Sequence, residues 1–141
     1  MSVVVDSSVV VALLVAEEKQ ASARMHVERW LRVGQGLHAP AVLPFEVANV
    51  LARLVFDGVL AIDQVPEIWR DVAALGLVLH PFEAVVDGPD VAAVTATLRR
   101  RHATDSTYVC LARKLGTEVW TLDRALARNA ADAGLPVQLV S

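Results

Sequence analysis

The sequence predicts an α/β fold, in which helices cover both faces of a mainly parallel central sheet of about five short strands. Short β-branched runs alternate with longer segments of helical periodicity along the whole chain. Strands joined through helices form parallel βαβ units with right-handed crossovers, so the alternation favours an α/β/α sandwich. A length of 141 residues suits a single domain. Because no linker, repeat or low-complexity segment interrupts the chain, that domain is predicted to span residues 1–141.

Five short runs are predicted as strands because β-branched or apolar residues dominate them and turn residues flank them. The first, Ser2-Val3-Val4-Val5, is apolar at nearly every position, which is typical of a strand buried on both faces of a parallel sheet. The predicted strands are 2–5, 37–39, 77–80, 118–122 and 137–140.

Seven segments between these strands show the apolar spacing of three and four residues that indicates helices. Ser7 or Ser8 is predicted to cap the first helix, and Asp63 to cap the fourth. Asp87-Gly88-Pro89 is predicted to open the fifth, since proline suits the first turn of a helix. With their capping residues, the predicted helices span 7–14, 20–33, 44–57, 63–74, 87–101, 105–115 and 124–132.

The composition excludes several classes of protein. Apolar residues make up 55% of the chain and charged residues 21%, which is typical of a folded domain and not of a disordered one. Cys110 is the only cysteine, so neither an intrachain disulfide nor a thiolate metal cluster is expected. No run approaches the roughly 18 apolar residues of a membrane span, and Asp6 interrupts the apolar start where a signal peptide would need an unbroken core. A cytoplasmic protein without membrane contact is therefore expected.

Four of the 16 acidic residues stand where an α/β fold delivers side chains to one place. Asp6 and Asp123 each follow an apolar strand run, while Glu46 and Asp105 fall in the first turns of predicted helices. In open α/β sheets, ligand sites form beyond the carboxyl ends of the strands. Carboxylates that gather there repel one another and resist burial, so the arrangement makes sense mainly if a hard cation joins them. The pattern favours a metal-dependent active site.

Each of these acids also has an ordinary structural interpretation. Asp6 and Asp123 suit the N-cap positions of helices that follow strands. Asp105 suits a first-turn charge that favours the helix dipole, and Glu46 suits an exposed helical position. For any one acid alone, capping is the better explanation. Taken together, in this order and spacing, the four acids favour the metal site.

Four segments that contain these acids carry a resemblance to a known family. They are Val5-Asp6-Ser7-Ser8-Val9, Ala39-Pro40 through Glu46-Val47-Ala48-Asn49-Val50-Leu51, Thr104-Asp105-Ser106-Thr107-Tyr108-Val109-Cys110-Leu111-Ala112 with Leu115-Gly116, and Trp120-Thr121-Leu122-Asp123-Arg124. In this order and spacing, the whole chain resembles the PIN-domain ribonucleases, specifically the toxins of VapBC-type toxin–antitoxin pairs. Two positions depart from the family pattern: Ser106 stands where alanine is usual, and Leu126 where an aromatic residue is common. Neither change removes a candidate ligand.

The resemblance implies an enzyme that uses carboxylate-held Mg²⁺ or Mn²⁺ to hydrolyse RNA phosphodiester bonds. The residues it assigns to metal binding and catalysis are Asp6, Glu46, Asp105 and Asp123. Three of them are expected as direct or water-mediated ligands, whereas Glu46 either ligates the metal or orients a bound water. Ser8 and Thr121 are predicted to hydrogen-bond the carboxylates and to fix their rotamers.

Basic residues are concentrated near two of the acids. Seven of the 13 lysines and arginines fall between Arg99 and Arg128, so a net charge of −3 does not argue against a nucleic-acid substrate. The structural alternative for 99–101 is that cations end the fifth helix, where they suit its dipole. The residues predicted to contact RNA phosphates are Arg99, Arg100, Arg101, Arg124 and Arg128.

The resemblance also implies partners for the chain. These are an RNA substrate, a second copy of the chain in a homodimer, and a co-encoded antitoxin protein whose tail lies near the acids. A groove for the antitoxin is predicted between the apolar stripe of the third helix and the apolar face of the fourth; the alternative is that these apolar faces form intramolecular core. The fourth helix would contribute Val65, Ile68, Trp69 and Val72 to this groove.

Two alternative functions are kept open. A haloacid-dehalogenase-like phosphatase also begins with an acid after the first strand, but it needs a second Asp two residues later, where this chain has Ser8. The other alternative is a PIN-like module that binds RNA or protein without catalysis. The presence of all four acids argues against such a module.

Overall fold

The computed structural model describes residues 1–15 and 17–141, which form five strands and seven α-helices. The strands are β1 (Ser2–Val5), β2 (Gly36–Pro40), β3 (Val78–His80), β4 (Val119–Thr121) and β5 (Val137–Leu139). The helices are α1 (Ser7–Leu14), α2 (Glu17–Arg32), α3 (Leu43–Phe56), α4 (Val65–Ala74), α5 (Ala84–Leu98), α6 (Thr104–Leu115) and α7 (Arg124–Asp132). None of the helices in this part of the chain is long and apolar enough to cross a membrane. The predicted α/β fold class is confirmed.

All five strands run parallel, in the order β3-β2-β1-β4-β5. β1 lies at the centre, where Val4 is paired with His38 of β2 on one side and with Val119 of β4 on the other. The chain moves in one direction from β1 to β3 and then reverses through α5 and α6 to reach β4 and β5. Right-handed crossovers therefore place α1 to α4 on one face and α5 to α7 on the other. The reversal opens a crevice beyond the carboxyl ends of β1 and β4, which is where open α/β sheets bind ligands.

The core is built around β1, which helices cover on both faces. Val4 is completely buried, and Val3 and Val5 are 5% and 1% exposed. Burying one such side chain contributes roughly 1.5–3 kcal/mol to the free energy of unfolding. Tyr108 of α6 and Leu126 of α7 are also completely buried. The two helices that flank the crevice are thus anchored firmly in the core.

Helix α5 begins and ends earlier than the sequence predicts. It starts at Ala84, because the carboxylate of Asp87 accepts a 2.7 Å hydrogen bond from the N–H of Glu83 and closes the first turn there. Pro89 consequently lies inside the helix and not at its first position. The helix also ends before residue 101, because Arg99 takes the left-handed backbone conformation with a φ of 55°.

Two predicted helix caps are wrong. Asp6, and not Ser7 or Ser8, occupies the N-cap position of α1, and no side chain caps that helix by a hydrogen bond. Asp63 lies within a short 3-10 turn, and Gln64 occupies the N-cap position of α4. The hydroxyl of Ser8 instead donates a hydrogen bond to the carboxylate of Asp6.

The apolar residues predicted to wall a groove between α3 and α4 belong largely to the core. Val47 and Leu51 of α3 are 1% and 3% exposed, while Ile68 and Val72 of α4 are 9% and 8% exposed. These stripes belong to the hydrophobic core because both helices pack against α1. For these four residues the intramolecular-core interpretation is therefore the right one, and they do not wall an open groove. Exposed apolar side chains of this region include Phe45, Phe56, Val59 and Ile62.

Candidate active site

All four acids predicted from the sequence lie around the crevice at the carboxyl ends of β1 and β4. Asp6 follows β1 and Asp123 follows β4, while Asp105 and Glu46 stand in the first turns of α6 and α3. Burial raises the pKa of Glu46, and the charges of Asp6 and Asp105 raise it further. Burial likewise raises the pKa of Asp105, and the charges of Asp6 and Asp123 add to that rise. Acids from four separate elements are thus close enough to act on one another.

Asp6 is the most deeply buried of the four, with 5% of its surface exposed. Two hydroxyls donate to its Oδ2: Ser8 Oγ at 2.6 Å and Thr121 Oγ1 at 2.8 Å. Burial raises the pKa of Asp6, although these hydrogen bonds act in the opposite direction. An ionised Asp6 is therefore held in one rotamer while its charge is incompletely compensated. That combination favours the binding of a cation.

Ser8 and Thr121 contact the acids, as predicted from the sequence. Thr121 Oγ1 also accepts the N–H of Asp123 at 3.0 Å, and Ser8 Oγ accepts the N–H of Leu122 at 3.0 Å. The two hydroxyls thus join the segment after β4 to Asp6 after β1. They hold two acids from different strands at a fixed separation.

The Thr121→Val variant tests this link. Thr121 is completely buried, so valine keeps the shape of the side chain but removes the hydroxyl that joins Asp6 to the N–H of Asp123. We expect the free energy of unfolding to fall by about 1–3 kcal/mol, the cost of leaving a buried polar group without its partner. Chemical denaturation measures the loss. Ser8→Ala is the comparison, because Ser8 is only half-buried, and a larger loss in that variant would contradict the assignment.

Glu46 is held by Tyr108, a residue that was not predicted to belong to the site. The hydroxyl of Tyr108 donates to Glu46 Oε1 at 2.5 Å, and Tyr108 is completely buried. Burial and the neighbouring carboxylates raise the pKa of the Tyr108 hydroxyl, so it stays protonated and remains a donor. One feature of the sequence could have indicated that Tyr108 belongs to the site. Tyr108 follows Asp105 by one helical turn on α6, which places both side chains on one face of the helix.

Asp123 combines a structural role with a candidate functional one. Its Oδ1 accepts the N–H of Leu126 at 3.0 Å and so caps α7. Its Oδ2 lies 3.6 Å from Nη2 of Arg100, and 39% of the side chain is exposed. The capping interpretation of this acid is therefore correct for one oxygen, while the other oxygen faces the Arg100 guanidinium.

The five arginines predicted to contact RNA fall into two groups. Arg100 is half-buried and lies between two acids, with Nη1 3.3 Å from Asp105 Oδ2 and Nη2 3.6 Å from Asp123 Oδ2. The other four are exposed and are available to a substrate. They are Arg99, Arg101, Arg124 and Arg128.

The donor set fits a hard divalent cation by its chemistry. It consists of carboxylate oxygens, which are the ligands that Mg²⁺ and Mn²⁺ prefer, in a partly buried site where the negative charges repel one another. Within residues 1–15 and 17–141, no three Asp, Glu, His or Cys side chains already stand as a complete ligand group. Hydrogen bonds take one oxygen of three of the acids, and the Arg100 guanidinium lies between two of them. Because Mg²⁺ keeps several of its waters, the remaining oxygens are enough for a few direct bonds.

The fold and the site define the class of protein: a parallel α/β domain with a carboxylate-lined crevice where the strand order reverses. Comparison with protein families matches residues 3–132 to the family described as PIN domain. The chain belongs to the PIN domain family. The family predicted from the four motifs is thereby confirmed, and the haloacid-dehalogenase-like alternative is set aside.

Two proteins from Pyrobaculum aerophilum are similar to this chain. The protein named Ribonuclease VapC3 is 34% identical over 136 residues, which cover 92% of this chain and 95% of that protein. The crystal structure of PAE2754 superposes with a TM-score of 0.68, covering 92% of this chain and 79% of that chain at 18% identity. The first likeness shows the family, and the second shows the fold alone.

Proposed function

We propose that this chain is a divalent-metal-dependent endoribonuclease that hydrolyses RNA phosphodiester bonds as the toxin of a toxin–antitoxin pair. One observation carries the proposal: carboxylates from four elements meet at the switch point of a PIN domain, and their charges act on one another there. The name of the relative at 34% identity, Ribonuclease VapC3, supports both the substrate class and the toxin role.

In this proposal Asp6, Asp105 and Asp123 hold the cation, directly or through water. When bound, Mg²⁺ or Mn²⁺ neutralises charge on the scissile phosphate and lowers the pKa of a water molecule. Ser8 and Thr121 keep Asp6 in one rotamer through their two hydrogen bonds to Oδ2. No side-chain nucleophile is required, because water attacks the phosphorus atom while the bond from phosphorus to the 3′-oxygen breaks, and the 3′-oxygen leaves as a hydroxyl after taking up a proton.

Glu46 is proposed to orient the attacking water. Its Oε1 is occupied by the hydroxyl of Tyr108, so one oxygen remains to accept a hydrogen bond. A carboxylate whose pKa is raised by burial and by neighbouring charges is also better suited to accept a proton near neutral pH. Tyr108 is a positioning residue in this scheme.

The exposed arginines are proposed to hold RNA phosphates beside the acids. A second copy of the chain and a cognate antitoxin protein are proposed as partners. Support for a protein partner comes from exposed apolar side chains at and just beyond the end of α3, where Phe56 and Val59 are 90% and 74% exposed. A cytoplasmic location belongs to the same proposal, because cellular RNA and a co-encoded antitoxin meet the enzyme there.

Cleavage of labelled RNA under controlled metal supply tests the proposed function. The purified chain is incubated with end-labelled single-stranded RNA of mixed sequence, with Mg²⁺ or Mn²⁺ and then with excess EDTA. We expect discrete fragments with either metal, none in EDTA, and recovery when Mg²⁺ is added beyond the chelator. Full cleavage in EDTA would overturn the metal dependence. RNA binding without fragments under either metal would favour the non-catalytic module.

A further inference from the structure

Arg100 places a guanidinium inside the cluster of acids. Its two terminal nitrogens lie 3.3 Å from Asp105 and 3.6 Å from Asp123, and only 24% of its side chain is exposed. Its Nε and Nη2 are buried without a hydrogen-bond partner. The guanidinium therefore compensates the acids by charge, while some of its own donors stay unsatisfied. A cation held in this way is easier to displace than one in a bidentate carboxylate pair.

The backbone turn before Arg100 delivers this side chain to the site. The N–H of Arg99 bonds to the carbonyl of Ala96 at 3.1 Å and that of Arg100 to the carbonyl of Thr95 at 3.2 Å, which is a Schellman turn at the end of α5. Arg99 takes the left-handed position of that turn with φ 55°, where glycine is usual. A strained residue directly before a half-buried arginine points to a role for the turn, since such strain persists where the surroundings impose it.

We propose that Arg100 is the resident counter-cation of the metal site: its guanidinium holds Asp105 and Asp123 together until a divalent cation displaces it. The inference rests on the proposed function, because it assigns Arg100 a role toward the metal that these acids would bind. Both cations seek the same carboxylate oxygens, the Oδ2 atoms of the two acids. Arg100 therefore lowers the affinity of the site for metal and limits repulsion between the acids when no metal is bound.

Arg101 provides a matched control for this role. It is the next residue, carries the same charge, is exposed, and forms no ion pair within residues 1–15 and 17–141. Replacing it removes a positive charge from nearly the same place but leaves the pairing of Asp105 and Asp123 with Arg100 intact. A difference between the two variants therefore reports on the displaced ion pair and not on the overall charge.

Calorimetric titration of the metal-free full chain with Mn²⁺ tests the inference. We expect Arg100→Gln to bind Mn²⁺ about tenfold more tightly than the wild type, within the usual range of coupling between two competing ligands. Arg101→Gln is expected to stay within about twofold of the wild type, because exposed charges are screened. Circular dichroism confirms that each variant is folded before the titration.

Arg100→Lys keeps the comparison available if the glutamine variant does not fold. Lysine keeps the charge but lacks the planar fork that reaches two carboxylates at once, so an intermediate Mn²⁺ affinity is expected. Mn²⁺ binding by Arg100→Gln alone, with none by the wild type, would support the inference in its strongest form. Equal affinity in the wild type and both Arg100 variants would overturn the inference and leave the proposed function standing. Failure of every variant to bind Mn²⁺ would overturn both.

Discussion

We expect the Asp6→Asn variant to cleave RNA about 10²- to 10³-fold more slowly than the wild type, the loss typical of removing one preorganised electrostatic group. Asp6 is the acid at the centre of the site. It follows the central strand, its charge acts on Glu46 and Asp105, and its Oδ2 accepts two hydroxyls. Asparagine removes the charge that a cation needs while it keeps the size of the side chain.

The fold is expected to survive this change. Asn retains a carbonyl oxygen that accepts the hydroxyls of Ser8 and Thr121, so the link between β1 and the segment after β4 persists. Thermal unfolding followed by circular dichroism checks this directly. Single-turnover cleavage of an end-labelled RNA gives the rate, and a bacterial growth assay shows whether toxicity falls with it.

Asp71→Asn is a suitable control, because Asp71 is an exposed acid on α4. It changes the net charge by the same amount, and we expect it to cleave RNA at the wild-type rate. Equal rates for Asp6→Asn and the wild type would show that Asp6 takes no part in the reaction. Loss of the circular dichroism signal in Asp6→Asn would instead assign it a structural role.

The pH dependence of stability gives a second readout for the same variant. Burial raises the folded-state pKa of Asp6 above its ordinary value of 3.8. Ionisation of Asp6 is therefore less favourable in the folded chain than in the unfolded chain. The wild type loses stability as pH rises from about 4 through the raised pKa, and the penalty remains at neutral pH. Asn cannot ionise. The free energy of unfolding of Asp6→Asn, measured without metal, should therefore increase relative to that of the wild type as the pH rises through that interval.

The placement of Asp6 and Asp123 was predictable because it depends on local patterns. A β-branched run specifies a buried strand, and parallel strands in an open sheet bring their carboxyl ends to the same edge. Asp105 and Glu46 were predictable for a related reason, since each falls in the first turn of a helix that begins near that edge. The order of strands and helices was therefore enough to predict that the four acids lie together, without any knowledge of side-chain contacts.

Contacts between side chains from distant segments were not predictable in this way. Tyr108 and Glu46 are separated by 62 residues, and nothing local in either segment indicates that they meet. The inward turn of Arg100 depends on the left-handed backbone of Arg99, which a non-glycine residue seldom adopts. The start of α5 was misplaced for a local reason: the Asp87 side chain bonds back to the N–H of Glu83 and begins the helix ahead of Pro89.

Glu46→Gln separates the two roles that the sequence leaves open for this acid. We expect RNA cleavage to fall by about 10²-fold, as for the loss of a group that guides proton transfer. The Mn²⁺ dissociation constant is expected to rise by no more than about tenfold, because a neighbouring charge is removed but no direct bond to the metal is lost. A rate loss with nearly unchanged affinity would identify Glu46 as the residue that orients water.

The structure makes this substitution unusually selective. Glutamine keeps an Oε1 carbonyl that accepts the Tyr108 hydroxyl, so the side chain is expected to stay in place. Only Oε2 is altered, and it becomes an amide that can neither accept a proton nor bind a cation. Calorimetry with Mn²⁺ and single-turnover cleavage measure the two effects separately. An affinity loss of more than about 100-fold, beyond the 10- to 100-fold that losing an outer partner of a metal site costs, would show instead that Glu46 holds the metal.

Tyr108→Phe completes the comparison, because it leaves the charge of Glu46 and removes only its hydrogen bond. Tyr108 is completely buried and its hydroxyl donates to Oε1, so phenylalanine frees the carboxylate to take other rotamers. We expect kcat to fall about tenfold with KM and the Mn²⁺ affinity unchanged, the usual cost of losing a positioning partner. If Glu46 is a ligand, the same variant must weaken Mn²⁺ binding. The two variants together therefore distinguish a residue that holds the metal from one that aims the water.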